Sequence, residues 1–261
     1  MPDVLHTSPA RGFVAEHAHY GDDAGFWEAH ATRLGGPVLD LGAAAGRVAI
    51  AIAGLGIPVV AVDADPEMLD VLSERAEQAG VAALIETVVG RMGACALPGD
   101  TALAIVPMNT LQVLVGADDR AATFRSVAAC LRPGGEFIFD LSVPDIDDIS
   151  ARLGEIIPTG QYVDPATGVR LAHTAVYDAI DASHRTLDFR VVVDRTFPDG
   201  TTAHDERLHH VHLYEPDEVH TLVTDAGLEV LTLHAGFHSE PFDAVRSERQ
   251  VWRCRAPEAT T

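Results

Sequence analysis

Two acids bracket a run of small residues in the first quarter of this 261-residue chain. Asp40 stands two positions before Gly42, and the run Gly42-Ala43-Ala44-Ala45-Gly46 ends 17 residues before Asp63. Small residues let backbone N–H groups approach a ligand closely, and a helix that starts inside such a loop leaves its first N–H groups free. A carboxylate at Asp63 has the two oxygens that a pair of ribose hydroxyls requires. A dinucleotide site would space its glycines G-x-G-x-x-G to take a pyrophosphate. Here they stand G-x-x-x-G behind an acid, which is awkward for a phosphate and suits a cationic ligand. A second group of reactive side chains lies in Leu208-His209-His210-Val211-His212-Leu213-Tyr214. Side chains alternate along a strand, so His210, His212 and Tyr214 share a face. Histidine titrates near neutrality, which makes His210 or His212 the candidate general base. The same histidines also fit ordinary polar positions on a strand. A third ligand is not evident beside them, so no metal site is expected.

These groups need elements to position them. Val38–Leu41, an apolar run ahead of the loop, reads as a strand, and a helix follows to about Gly54. Val59–Val62 is a second strand ending at Asp63, and Asp65 reads as the N-cap of a helix opened by Pro66. Strands over 82–89, 102–107 and 136–141, with a helix over 118–131 between the last two, continue the alternation. Alternating strands and helices predict a parallel sheet covered on both faces. After Pro144 the pattern changes to long strands over 169–180, 184–197 and 201–214 joined by tight turns, an antiparallel meander. A helix over 216–226 and strands over 228–234 and 249–255 complete the chain. The expected fold class is α/β: a doubly wound, Rossmann-like, mostly parallel sheet with a final antiparallel strand and an inserted antiparallel flap. The expected organisation is a helical cap over 1–36, an α/β core over 37–145, the flap over 146–214 and completion of the core over 215–261.

Composition narrows the partners. With 39 acidic against 18 basic side chains the formal net charge is −21, which argues against nucleic acid and anionic membrane surfaces. No apolar run reaches the ~18 residues of a membrane helix, and the N-terminus does not read as a signal peptide. Cys95, Cys130 and Cys254 form no CxxC pair, and two of them fall in apolar patterns. Buried free thiols and a cytoplasmic location are the expectation.

Asp40-Leu41-Gly42-Ala43-Ala44-Ala45-Gly46 resembles motif I of the class I S-adenosylmethionine-dependent methyltransferases, D/E-x-G-x-G-x-G, with Ala44 at the middle glycine. Val59 to Leu69 resembles the family's motif II, with Asp63 as the ribose-binding acid. Val88-Val89-Gly90-Arg91-Met92 matches a segment that often reads Gly-Asp-Met, where the acid accepts from adenine. Arginine cannot accept a hydrogen bond, so either backbone groups and Met92 hold adenine or cofactor use is altered. Ile105 to Leu114 resembles the end of the fourth strand, and Leu131-Arg132-Pro133-Gly134-Gly135 the turn before the fifth.

The resemblance implies S-adenosyl-L-methionine as cofactor, held by Asp40, Gly42, Ala44, Gly46 and Asp63, with Arg47 near the methionine carboxylate. It extends the site to Ala64 and Met68 past Asp63, to Arg91 and Met92, and to Pro107, Asn109 and Leu111. Tyr20 is expected to cap the cofactor from the N-terminal side. Trp27, Asn109 and Tyr214 are the expected acceptor contacts, although Trp27 fits a core anchor equally well. The later part of the chain resembles the small-molecule branch, whose members carry a flap and often pair as homodimers. The implied function is methyl transfer to a nitrogen or oxygen of a small, natural-product-like acceptor. Two alternatives stay open: a cofactor-binding relative that catalyses a rearrangement or cyclisation, and a dimeric binding protein without turnover.

Overall fold

All four residues of Val38–Leu41 are buried, and this short apolar strand, β1, pairs in parallel on both sides. A computed structural model describes residues 9–17, 20–21, 23–95, 97–164 and 167–259. On one side of β1 lie β2 (Val59–Asp63) and β3 (Ile85–Val89), and on the other β4 (Thr101–Val106) and β5 (Leu131–Ser142). β11 (Arg249–Arg255) runs antiparallel beside β5, and β10 (Glu229–His234) pairs antiparallel with β11 at the edge. The chain winds outward from β1 in one direction and returns through β4 in the other. The crevice at the carboxyl ends of β1 and β4 is therefore the switch point where ligands collect in such sheets.

Alternation sets the two covered faces. Leu39, Leu41, Val60 and Val62 pack with Phe124 and Val127 of α5 (Ala117–Cys130) and Val219 and Val223 of α7 (Pro216–Asp225). Val38, Val59, Ala61 and Leu103 face the other way. They meet α2 (Ala24–Leu34), α3 (Arg47–Gly54) and α4 (Pro66–Gln78). Asp65 caps α4 as its spacing predicts, accepting from the Glu67 N–H at 2.9 Å, with Pro66 in the first turn.

The second sheet is antiparallel and four-stranded: β6 (Ile156–Val163), β7 (Arg170–Asp181), β8 (Thr186–Thr196) and β9 (Thr202–His212). Three of these strands were expected. Pro158 and Gly160 mask β6, and both are tolerated because β6 is an edge strand. Two short helices also go beyond the expectation, α1 (Pro9–His17) and α6 (Ile146–Ala151). β5 starts at Leu131 rather than Glu136, running through the Pro-Gly-Gly turn with a register shift against β4 between Thr101 and Leu103. The outer face of the flap carries ion pairs, Arg190 with Asp178 and His204 with Asp194, while the inner face is turned to the crevice. Cys130 and Cys254 are buried and Cys95 is partly exposed, all as free thiols.

Candidate active site

A cavity of about 800 Å³ lies between the carboxyl ends of β1 and β4, the inner face of the flap, and α1. Its first wall is the loop after β1. Gly42, Ala44 and Gly46 all have left-handed backbones, with φ of 73°, 46° and 80°. A Cβ on Gly42 would overlap the Thr110 side chain, and one on Gly46 would overlap Leu72. The loop is tied to β2 by N–H groups of Gly42 and Ala43 donating to the Val62 carbonyl, at 2.8 and 3.0 Å. The Ala44 N–H donates to Asp63 Oδ2 at 2.8 Å, and Asp63 Oδ1 accepts from the Asp65 N–H at 2.9 Å. Each Asp63 oxygen keeps a second lone pair for a ligand hydroxyl.

Ala44 sits where only glycine adopts the backbone without strain, at a cost of roughly 1–2 kcal/mol. Ala44→Gly is therefore expected to stabilise the protein by up to about 1 kcal/mol, after the extra chain entropy of glycine is subtracted. Urea unfolding of the two proteins checks it, and a lower midpoint for the variant would contradict the strain argument.

Asp40 lines the cavity from β1, 2% exposed, and its Oδ1 has no hydrogen-bond partner. Burial pushes its pKa up to about 7, against the opposing pull of Arg47. Beside it, the turn after β4 holds Met108 and Asn109 in consecutive left-handed conformations, φ 59° and 58°. That turn is pinned by the Met108 N–H donating to Asp140 Oδ1 at 2.7 Å. Asn109 Oδ1 is a second buried acceptor without a partner. Arg47 is committed elsewhere: it donates to both oxygens of buried Asp23, at 2.6 and 2.8 Å, and lies over the Tyr20 ring. It thereby neutralises Asp23 and places Tyr20 at the cavity wall.

The flap contributes residues in cross-strand rows. Tyr177, Phe189 and His209 stand opposite one another on β7, β8 and β9, and Ala175, Val191 and Arg207 form the adjacent row. His209 stacks on Phe189 at 4.7 Å between ring centroids. From the opposite side α1 contributes Phe13, Val14 and His17. Glu16 on α1 is fully buried at its side chain and pairs with Arg195 at 2.8 Å and with Arg207, so the helix is fastened to β8 and β9.

A sequence-family model described as a methyltransferase domain matches residues 38–135. No match was found among curated protein sequences. Among solved structures, the CcbJ methyltransferase from Streptomyces caelestis is 28% identical, with 90% of this chain and 95% of that chain covered and a TM-score of 0.72. An S-adenosylmethionine-dependent methyltransferase from Clostridium acetobutylicum is 14% identical over 94% of this chain and 97% of that one, with a TM-score of 0.77. An amino pentose methyltransferase from Micromonospora echinaspora, with S-adenosylmethionine bound, is 14% identical over 94% of both chains, with a TM-score of 0.67. Residues 38–135 thus match a methyltransferase domain, and the chain carries the fold of the class I S-adenosylmethionine-dependent methyltransferases.

The cavity fits S-adenosylmethionine on the evidence of its own atoms. S-adenosylmethionine is a cation with ribose hydroxyls and an ammonium group. The partnerless Asp40 and Asn109 oxygens and the half-satisfied Asp63 carboxylate are the acceptors such a ligand needs. The structure brings Tyr20, Asp40, Gly42, Ala44, Arg47, Asp63, Pro107 and Asn109 to the cavity. Gly46 shapes the loop from behind, against Leu72. Ala64 and Arg91 are exposed and lie outside the cavity lining. Met68 packs on Ala10 and Val71, while Met92 and Leu111 belong to the core beneath the sheet.

The acceptor contacts and the base require correction. Trp27 is fully buried, donating to Asp23 Oδ2 at 2.7 Å, and Tyr214 is buried with its hydroxyl donating to the Leu111 carbonyl at 3.0 Å. Neither lines the methyltransferase cavity. His210 and His212 do share a face of β9, as alternation requires, but it is the opposite one. His210 is exposed and pairs with Asp188 across the strand, and His212 pairs with Glu218 of α7 at 2.9 Å. His209 is the histidine of that strand that faces the cavity. Val211 and Leu213 share its parity and are buried with Leu187, so the apolar positions of the same stretch carried the signal. Phe13, His17, His173, Tyr177, Phe189 and Arg207 also line the cavity and were not singled out from sequence.

Proposed function

We propose that the protein methylates a nitrogen or oxygen of a small, natural-product-like acceptor held between α1 and the flap. One observation carries this reading. The cavity has the cofactor-binding loops at one end and a wall of aromatic, aliphatic and histidine side chains at the other, in about 800 Å³. That volume suits two small molecules side by side and is bounded on both sides by chain, unlike a groove for a polymer. The amino pentose methyltransferase of similar fold supports a small acceptor.

The cofactor, when bound, supplies an electrophilic methyl group. The chain supplies alignment, the dominant contribution in an in-line displacement. Asp40 offers a buried negative charge to the cationic ligand and Asp63 fixes the ribose. The flap rows of Ala175, Val191, Leu187 and Val211 exclude water from the acceptor side. Arg91 lies outside the cavity lining, which weighs against a changed reaction at its methyl end.

Turnover of donor labelled in its methyl group, with a panel of amino sugars, small amines and phenols, tests the proposal. Transfer to at least one member is expected. His209→Ala should lower that transfer at least tenfold and His210→Ala should leave it unchanged. Donor binding without transfer to any panel member would overturn the methyl-transfer reading in favour of a binding protein.

A further inference from the structure

Once His210 and His212 are excluded by their face of the strand, the proton of a hydroxyl or amine acceptor has no assigned destination. His17 closes α1 and lines the cavity opposite the flap. Its Nδ1 lies 2.8 Å from the carbonyl oxygen of Phe13, one turn back. A carbonyl oxygen only accepts, so Nδ1 carries the hydrogen. In the neutral ring the lone pair is then on Nε2. The ring is also stacked on Phe13, with centroids 3.9 Å apart, so two contacts hold its orientation. Burial holds its pKa below the ordinary value, and Arg207 and His173 act in the same direction, against the Phe13 carbonyl and Glu16, which favour the charged ring. Glu16 is itself taken up by Arg195 and Arg207. The other charged or titratable groups around the cavity are His209 and Tyr177 on the flap, Arg75 on α4, Tyr20, and Asp40, Arg47 and Asp63 at the loops. Among the described residues no hydrogen bond fixes the tautomer of His209, whose ring is occupied in stacking on Phe189.

We propose that His17 is the catalytic base of this site, its Nε2 receiving the proton that the acceptor nitrogen or oxygen gives up. The assignment rests on the small-acceptor reading above. The acceptor's lone pair forms the bond to the methyl carbon, and the carbon–sulfur electron pair remains with sulfur. The N–H or O–H proton passes to Nε2, giving an imidazolium that returns it to water between turnovers.

The test uses full-length protein labelled with 15N in histidine and saturated with S-adenosylhomocysteine. Two-bond 15N–1H correlation spectra report the tautomer, with His17 assigned by its absence in His17→Gln. An Nδ1–H ring that titrates below 6.5 is expected, and an Nε2–H ring, or one protonated at pH 7, overturns the proposal. With an acceptor from the panel above, His17→Gln should lose about 100-fold or more in kcat. The acceptor KM and the calorimetric affinity for S-adenosylhomocysteine should hold, and the acid limb of the kcat–pH profile should disappear. An unchanged kcat and pH profile also overturns it. If wild-type protein methylates no panel member, the small-acceptor reading has failed, and the tautomer spectrum decides separately whether His17 is a poised base.

Discussion

Asp40→Asn is expected to weaken S-adenosylmethionine binding while making the ligand-free protein more stable above neutral pH. Two effects of one buried carboxylate produce the opposite signs. A charge-assisted contact is worth roughly 1.5–3 kcal/mol, so its loss corresponds to about a 10- to 150-fold rise in Kd. In the ligand-free protein the same carboxylate is buried with Oδ1 unpartnered, and its pKa is pushed from 3.8 to about 7. A group whose folded pKa is raised contributes stability that is complete below the unfolded value and lost as pH rises through the folded one. Wild-type melting temperature should therefore fall between about pH 4 and 7, and the variant should fall less. Asp140, raised to about 6 by burial despite its pair with Arg249, titrates in the same window and keeps part of that slope in the variant. Donor affinity of the wild type should rise with pH toward 7, as the carboxylate ionises, and be flat for the variant. Calorimetry and thermal melts over pH 5–8 measure both. Equal affinities at pH 8 would remove Asp40 from the cofactor site.

Asp63→Ala carries the other large effect. The carboxylate holds the Ala44 N–H with one oxygen and the Asp65 N–H with the other, at the wall of the cavity. Removing it deletes the ribose contacts and frees the loop that shapes the rest of the donor site. Two charge-assisted bonds at roughly 1.5–3 kcal/mol each give an expected loss of about 10²–10⁴ in affinity for S-adenosylhomocysteine. Asp63→Asn keeps one oxygen that can accept and should fall between. Hydrogen exchange at Ala44 should accelerate in the alanine variant before any ligand is added. An alanine variant that binds S-adenosylhomocysteine as tightly as wild type would show that this carboxylate does not hold the ribose.

The donor half was legible in sequence because its determinants are local. β1, the loop and β2 declare themselves by apolar runs, glycines and flanking acids, and the structure places Asp40, Gly42 and Asp63 together as the spacing implies. The acceptor half was less legible for three physical reasons. Parity along β9 was recognisable, but which parity faces inward depends on packing against Leu187 and Ile149, residues remote in the chain. β6 is broken by Pro158 and Gly160 and is held by its pairing with β7 rather than by its own pattern. α1 is nine residues long, too short to be stable alone, and exists through Glu16 and the contacts of Ala10 and Val14.

The Glu16 ion pairs span 179 residues to Arg195 and 191 to Arg207. Donor-loop ties close over far shorter stretches, 19 residues for Ala44 to Asp63. The entropy of closing a chain segment grows with its length, and non-local contacts form late. The two halves of one cavity therefore differ in the chain entropy that their closure costs. The pocket for the methyl donor can form once the first few strands associate. The compartment for the acceptor is completed only when the last strand of the flap returns to meet a helix made at the start of the chain.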